Sequence, residues 1–219
     1  QVWMAENLKT THYTNGDAIP AITDNGVGSG ATIDGDSNDE WEALGNNDTD
    51  KAYCWYDDDE ATNKDLYGAL YTYAAATNGD NSGISVQGAC PTGWHIPSDA
   101  EWTELTNYLT NNGYGYEGSG DDIAKSMAAT SGWSSHATPG YVGNDQASNN
   151  SSGFSALPGG QRGEEYGFFK NVGDYAFFWS ATENWNNFAW YRALYYNYSD
   201  EAWYNIYKSK GYSVRCLKD

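Results

Sequence analysis

Basic side chains are few. Eleven Lys and Arg stand against 30 Asp and Glu, a net charge of −19, and because neutralising phosphates takes clusters of Lys and Arg, this balance argues against a nucleic-acid partner. Long apolar runs are lacking too: no stretch reaches transmembrane length, and no signal peptide is recognisable. The chain opens at Gln1 rather than Met, which reads as a mature or trimmed product whose leader or anchor has been removed. Cysteine is limited to Cys54, Cys90 and Cys216, far apart and without CxxC spacing or an accompanying histidine, which counts against a zinc site. One disulfide and one free thiol is the natural reading. The histidines, His12, His95 and His136, are isolated from one another, a pattern more typical of structural than of catalytic residues. No GxSxG elbow is present, so serine or thiol hydrolase chemistry finds no support.

What is there fits one large or two small domains over 219 residues, with length enough for a substantial core and no segment that marks a linker. Only 39% of residues are hydrophobic and Gly, Asn, Asp, Ser and Thr abound, so the fold should be loop-rich with short elements. Val2, Trp3, Met4 and Leu8 before Asn15-Gly16 suggest a strand and a hairpin-type turn. Residues 23–39 are Gly, Asp and Ser with scarcely a large apolar side chain and read as a loop insertion. The spacing of Asp34, Asp36 and Asn38 hints at calcium, but Asp39 stands where an EF-hand turn needs Gly, and no Glu follows at the twelfth position. No cofactor is expected, and a structural calcium stays open. Asp57-Asp58-Asp59-Glu60 reads as a solvated acidic face.

Leu66, Leu70, Tyr73 and Ala74 recur at helical spacing, predicting a helix over Asp65 to Thr77. Ser98 followed by Glu101 is a capping box directly after Pro97, so a second helix should run from Asp99 to Asn111, with Trp102, Leu105, Tyr108 and Leu109 on one face. A shorter helix is expected over Asp121 to Ala129. The turn-rich stretch from Thr130 to Asn171 should pack through Trp133, Phe154, Leu157, Phe168 and Phe169.

The C-terminal part is different. From Trp179 to Tyr212 twelve of 34 residues are aromatic, against 16% overall, and they are interleaved with Asn, Ser, Asp and Ala. Tyr and Trp give large amphipathic contact area at low entropic cost while Ser and Asn adapt their hydrogen bonds, which is the chemistry of a recognition surface. A pair of ordinary aromatic strands is the plainer alternative. In AWYRALYY, alternation sends Trp190, Arg192 and Leu194 to one side and Tyr191, Ala193 and Tyr195 to the other. SVRCL closes the chain as another short strand.

Six collinear motifs, QVWMAENL, YGALYTYAAA, ACPTGWHIPSDAEWTEL, GFSALPGGQRG, FFWSATE and GYSVRCLKD, resemble the Fibrobacter succinogenes major paralogous domain, a family of bacterial exported and surface proteins, over nearly the whole chain. A more distant similarity reaches the formylglycine-generating and sulfatase-modifying proteins, through Pro97 to Trp102 and Val214-Arg215-Cys216. The resemblance implies a single α+β domain over 1–219 with a C-type lectin-like fold: two main helices on a small, mostly antiparallel sheet. Trp94, Ile96, Trp102, Leu105, Phe154, Leu157, Trp179, Leu194 and Val214 should then be buried. It further implies a disulfide between Cys90 and Cys216, leaving Cys54 without the local partner that relatives often carry.

C-type lectin domains of this kind resemble the variable proteins of diversity-generating retroelements, in which a fixed scaffold carries substituted positions near the C-terminus. Here Ala189, Trp190, Leu194, Lys208, Gly211, Ser213, Val214 and Arg215 look like scaffold, and 184–210 like the variable segment. The binding face expected from alternation and exposure comprises Trp185, Asn186, Asn187, Phe188, Tyr191, Ala193, Tyr195, Tyr196, Tyr198, Asp200, Trp203, Tyr204 and Asn205, offered to a protein or glycan ligand on another cell, a phage or a host surface. An exported or cell-surface location follows. An oxidase of the formylglycine-generating type would need two cysteines close together near the C-terminus, and only Cys216 is there. Calcium-dependent sugar binding lacks its Glu-Pro-Asn or Gln-Pro-Asp triplet. A structural surface or pilus-tip module without a diversified site is the remaining alternative.

Overall fold

A computed structural model describes residues 1–23 and 37–219, and its elements are short. The helices are α1 (Ser37–Glu42), α2 (Glu60–Tyr67), α3 (Tyr73–Thr77), α4 (Asp99–Asn111) and α5 (Ala124–Met127). The strands are β1 (Tyr53–Cys54), β2 (Leu70–Tyr71), β3 (Trp94–His95), β4 (Gly159–Arg162), β5 (Phe169–Val172), β6 (Tyr175–Glu183), β7 (Phe188–Tyr195), β8 (Ala202–Tyr207) and β9 (Leu217–Lys218). They pair as β1-β2, β3-β9, β4-β5 and the three-stranded β6-β7-β8, all antiparallel. The class is mixed α+β.

The α4 helix starts where its capping box places it: the Ser98 hydroxyl accepts from the Glu101 amide at 3.3 Å while Glu101 Oε2 accepts from the Ser98 amide at 2.8 Å. Two otherwise orphaned amide donors are thereby satisfied. Its inner face buries Trp102 and Leu109, Leu105 is half-buried, and Tyr108 is exposed.

The helix expected over Asp65 to Thr77 is instead two helices with a strand between them. Gly68, at φ +74, ends α2 in a conformation side chains rarely adopt, and an added Cβ would stand 2.8 Å from Asn7 Cβ and 2.9 Å from Leu8 O, so the chain must turn there. Leu70 and Tyr71 then pair with β1, and the Thr72 hydroxyl caps α3 by accepting from the Ala75 amide at 3.2 Å. The helical spacing of Leu66 was fortuitous, for Leu66 is exposed. The third expected helix shrinks to the four residues of α5, although Ile123 and Met127 are both buried.

Two further expectations change. The acidic run does not all face water: the Asp58 carboxylate meets the fully buried Arg162 at 3.2 Å and accepts from Ser37 Oγ at 2.6 Å, while Asp57, Asp59 and Glu60 are exposed. The expected 23–39 loop ends in the first turn of α1; Asp34 and Asp36, with the rest of 24–36, lie outside the described residues. The hairpin-type turn at Asn15-Gly16 is present, with the Tyr13 amide donating to Asp17 O at 2.8 Å and His12 bridging Ala18, but the opening forms only an isolated bridge, Trp3 to Leu217, rather than a strand. SVRCL contributes little more, since only Leu217 of that segment enters β9.

The β6-β7 pair is packed on both sides. Phe177, Trp179, Tyr191 and Ala193 enter one cluster with Tyr73 of α3, Tyr212 and Val214, and Ala176, Phe178 and Leu194 enter another with Trp102 of α4 and Phe154. A third cluster gathers Trp41, Ala52, Cys54, Tyr56 and Leu70. Of the expected core, Ile96, Trp102, Phe154, Trp179, Leu194 and Val214 are buried; Trp94, Leu105 and Leu157 are half-buried. Within the turn-rich stretch, Trp133 and Phe154 are buried, Leu157 and Phe169 half-buried, and Phe168 is exposed. Cys90 and Cys216 form a disulfide, tying the segment before α4 to the end of the chain, and Cys54 is free and buried.

Candidate ligand-binding site

The register of β7 on β8 decides which aromatics meet. Phe188 lies opposite Tyr207, Trp190 opposite Asn205 and Arg192 opposite Trp203; between them Ala189 faces Ile206, Tyr191 faces Tyr204 and Ala193 faces Ala202. Directly opposed residues share a face of the sheet. One face therefore carries stacked rings, Phe188 on Tyr207 at 4.6 Å and Trp190 on Trp203 at 5.0 Å, and it is the face that meets α4 farther along, where Arg192 Nη2 donates to Asp99 Oδ1 at 2.7 Å.

The expected phase of β7 is corrected on this geometry. Tyr191 and Ala193, expected to face solvent, are 8% and 0% exposed. β7 is the middle strand, its Tyr191-Ala193 face lies over Phe177 and Tyr212, and its Trp190-Arg192-Leu194 face runs from the half-buried Trp190 to the buried Leu194. Alternation assigns residues to two faces, and a strand buried on both offers neither to a ligand. Tyr195, Tyr196, Phe188 and Asp200 are half-buried. Burial holds the Tyr195 hydroxyl well above its usual pKa, so it is a neutral donor.

The exposed members of the set lie at the periphery of this sheet, on its outer strand and in the turns at its two ends. Trp203 and Tyr204 are 50% and 58% exposed and Asn205 is exposed beside them, three consecutive residues on both faces of β8. The β6-β7 turn adds Trp185, 82% exposed and at φ +64, with Asn186 and Asn187. A left-handed tryptophan is uncommon, since bulky side chains disfavour that region; the Phe188 amide donating to Trp185 O at 3.1 Å closes the turn. Tyr198 projects from the β7-β8 turn, which is anchored to the body by the Val142 and Ala124 amides donating to the carbonyls of Tyr198 and Ser199. The sequence reading missed the exposed Tyr207, whose two-residue spacing after Trp203 and Asn205 is the signal that would have found it.

Two buried cations frame this edge. Arg192 has Asp99 on one side and Glu201 on the other, its Nε 3.6 Å from Glu201 Oε1. Burial, outweighing the guanidinium, pushes the Glu201 carboxyl up to about 7. Lys208, fully buried, puts Nζ 2.6 Å from both Asp48 Oδ1 and Glu183 Oε1 and lies over the Tyr73 ring at 5.0 Å. Among the described residues no group of three or more His, Cys, Asp or Glu could hold a metal ion. A cleft of about 480 Å³ opens elsewhere, lined by Trp3, Leu105, Tyr108, Tyr114 and Phe154 among others, and takes in none of the candidate residues.

The histidines and thiols are engaged or enclosed. His95 Nδ1 lies 2.7 Å from Asp219 and its Nε2 2.9 Å from Glu101, His136 packs at a tilt against Tyr141 at 4.8 Å, and His12 Nδ1 is 2.9 Å from the Thr11 hydroxyl. Burial pushes the Cys54 thiol up to about 12. Arg215 is buried and donates to the carbonyls of Met4 and Phe154 and to Asn7 Oδ1; burial pulls its guanidinium down to about 9.

Residues 1–218 match the model of the Fibrobacter succinogenes major domain. The chain belongs to that family. No curated protein and no solved structure matches it. In this Fibrobacter succinogenes major domain the shared motifs build the frame: Asn7 of QVWMAENL binds Arg215 and Ser213, Arg162 of GGQRG binds Asp58, and Trp179 of FFWSATE donates to Tyr71 O at 2.7 Å. The exposed rings at β8 and the β6-β7 turn lie outside those motifs.

Proposed function

We propose that this domain is a non-catalytic, ligand-binding surface protein of adhesin or receptor type, which presents the rings and amides of the β6-β7 turn and β8 to a protein or glycan on another cell, a phage or a host surface. The observation that carries this reading is the exposure of four large rings, Trp185, Trp203, Tyr204 and Tyr207, on one outer strand and the turn that joins its neighbours, because aromatic side chains left in solvent at this density are enriched at interaction sites. A non-catalytic role is supported by Cys216 being held in a disulfide and by the enclosure of Cys54. The disulfide also fits export to an oxidising compartment, and no described helix is long and apolar enough to cross a membrane.

The scaffold in this reading is C-type lectin-like, and residues 184–210 are its retroelement-diversified segment. Support for the second point comes from where the rings sit: the outer strand and adjoining turn can change side chains while the core clusters stay as they are. The test has two arms. Fluorescently labelled domain is measured for binding to whole bacterial cells and to a glycan array, against a Trp185→Ser, Trp203→Ser, Tyr204→Ser variant whose fold is checked by circular dichroism. Loss of binding with the fold intact is expected; unchanged binding would hand the case to a structural surface module. For diversification, the neighbouring DNA should carry a reverse transcriptase and an adenine-rich near-copy of the last coding segment.

A further inference from the structure

The order β6-β7-β8 leaves β8 with no partner among the described residues on its outer side, and the register says which backbone groups that side presents. The Lys208 amide donates to Asn187 O at 3.1 Å, which extends the β7-β8 register of Phe188 on Tyr207 by one step. In an antiparallel ladder hydrogen-bonded pairs alternate with non-bonded ones. Ile206, Tyr204 and Ala202 therefore direct their amides and carbonyls to β7, and Trp203 and Asn205 direct theirs outward, as does the Tyr207 amide; the Tyr207 carbonyl accepts from the Lys210 amide at 3.2 Å. No backbone group of the described residues meets those of Trp203 or Asn205.

Proteins usually block such an edge with Lys, Pro, a bulge or a covering segment. β8 reads AWYNIY, with no Lys, no Pro and an uninterrupted register. The charges around it are one-sided. Glu201 immediately precedes the strand and Lys208 immediately follows it; at the first end two carboxylates, Asp99 and Glu201, surround Arg192, and at the second Asp48 and Glu183 surround Lys208. The second end thus holds two carboxylates around a single cation, while at the first Glu201, held up to about 7 by burial, adds its full negative charge only above neutrality. A second copy of this chain would set one net charge of −19 against another, so self-pairing is opposed by the same charges that would attract a basic strand.

We propose that β8 is a strand-addition site, at which an extended, Lys- or Arg-bearing segment of a partner protein joins the sheet as a fourth strand, its backbone pairing with Trp203, Asn205 and Tyr207 and its side chains lying against the exposed rings. This deepens the reading of the aromatic edge as a ligand site and rests on it. Backbone pairing would supply affinity and the rings selectivity, as in other strand-addition complexes.

The probe is a capped peptide of about eight residues, alternating lysine and valine, titrated into the ¹⁵N-labelled domain at low salt. Saturable shifts and slowed hydrogen exchange at the amides of Trp203, Asn205 and Tyr207, weakened at least about tenfold when ionic strength is raised from about 0.02 to about 0.2 M, are expected. Asn205→Pro supplies the control: its amide is not used in the β7-β8 ladder, and proline is tolerated on the open side of an edge strand. The variant should fold as the parent does and lose peptide binding about tenfold or more. Unperturbed outward amides, or full binding by Asn205→Pro, would overturn strand addition, as would a stable dimer of the domain alone on light scattering. If the whole-cell or glycan binding described above persists in Asn205→Pro and is lost only with the rings, strand addition fails while the aromatic site stands.

Discussion

Lys208 offers the sharpest perturbation of the frame behind the candidate edge. Its ammonium is fully enclosed, bonded at 2.6 Å to both Asp48 and Glu183, and it joins three separate pieces of chain: the 45–51 loop, the end of β6 and the end of β8. Lys208→Met keeps much of the aliphatic volume and removes only the charge. Two carboxylates are then left facing each other in a partly desolvated site. Removing one partner from a buried ion pair typically costs about 3–5 kcal/mol, and because Asp48 and Glu183 keep 26% and 22% of their side-chain exposure, the low end, about 3 kcal/mol, applies here. For a chain of this size that corresponds to a fall in Tm of about 6–12 °C. The assay is calorimetric melting, together with a Lys208→Met, Glu183→Gln variant. The double variant removes one of the two facing carboxylates and should recover part of the loss. A single-variant shift below about 2 °C, or a double variant no better than the single one, would refute the account.

The disulfide closes 126 residues of sequence, so Cys90→Ala with Cys216→Ala should lower stability by up to about 5 kcal/mol, read from urea unfolding. His95 is buried, which opposes its charge, but bonds to Asp219 and Glu101 outweigh burial and raise its pKa above 6.5; its stabilisation is therefore complete below pH 6.5 and lost as pH rises through the raised value, so Tm should decline as pH rises above 6.5 and His95→Gln should flatten that decline. Trp190 is half-buried against Trp203 at 5.0 Å, so a double-mutant cycle between them should return a coupling of about 0.5–1.5 kcal/mol, and Trp190→Ala should cost about 1–2 kcal/mol rather than the 3–5 of a fully buried aromatic.

Signals that are local in sequence were legible, and signals that depend on who lies next door were not. Ser98 and Glu101 sit three residues apart and fix the start of α4 by bonding to each other's backbone, without reference to anything distant. The 65–77 stretch shows the opposite: apolar residues recur at helical spacing, yet a glycine held against Asn7, some 60 residues away in sequence, breaks the helix, and Tyr71 is claimed by pairing with Tyr53. Asp58 was misread for the same reason, because its partner Arg162 is remote in sequence. The motifs that carry the family resemblance hold structural residues, Asn7, Arg162, Trp179 and Arg215, each buried and hydrogen-bonded to a segment remote in sequence.

For the candidate site the decisive quantity is where a strand sits in its sheet. The sequence AWYRALYY alternates as cleanly as a half-exposed strand, and that pattern would put Tyr191 and Ala193 in solvent if β7 were an outer layer. As the middle strand it instead meets α4 on one side and Phe177 and Tyr212 on the other. Tyrosine and alanine suit that position, the ring filling the layer beneath and the methyl allowing the sheet to close over Phe177. β8 carries a similar mixture, AWYNIY, yet as the outer strand it leaves Trp203, Tyr204, Asn205 and Tyr207 exposed and buries only Ala202. Similar alphabets thus give core in one strand and exposed rings in the next, and strand order separates them. That is why Trp203, Tyr204 and Asn205 remain exposed from the expected face while Tyr191 and Ala193 leave it, and why the proposed site lies at the β8 edge and the Trp185 turn rather than on the broad face of the sheet.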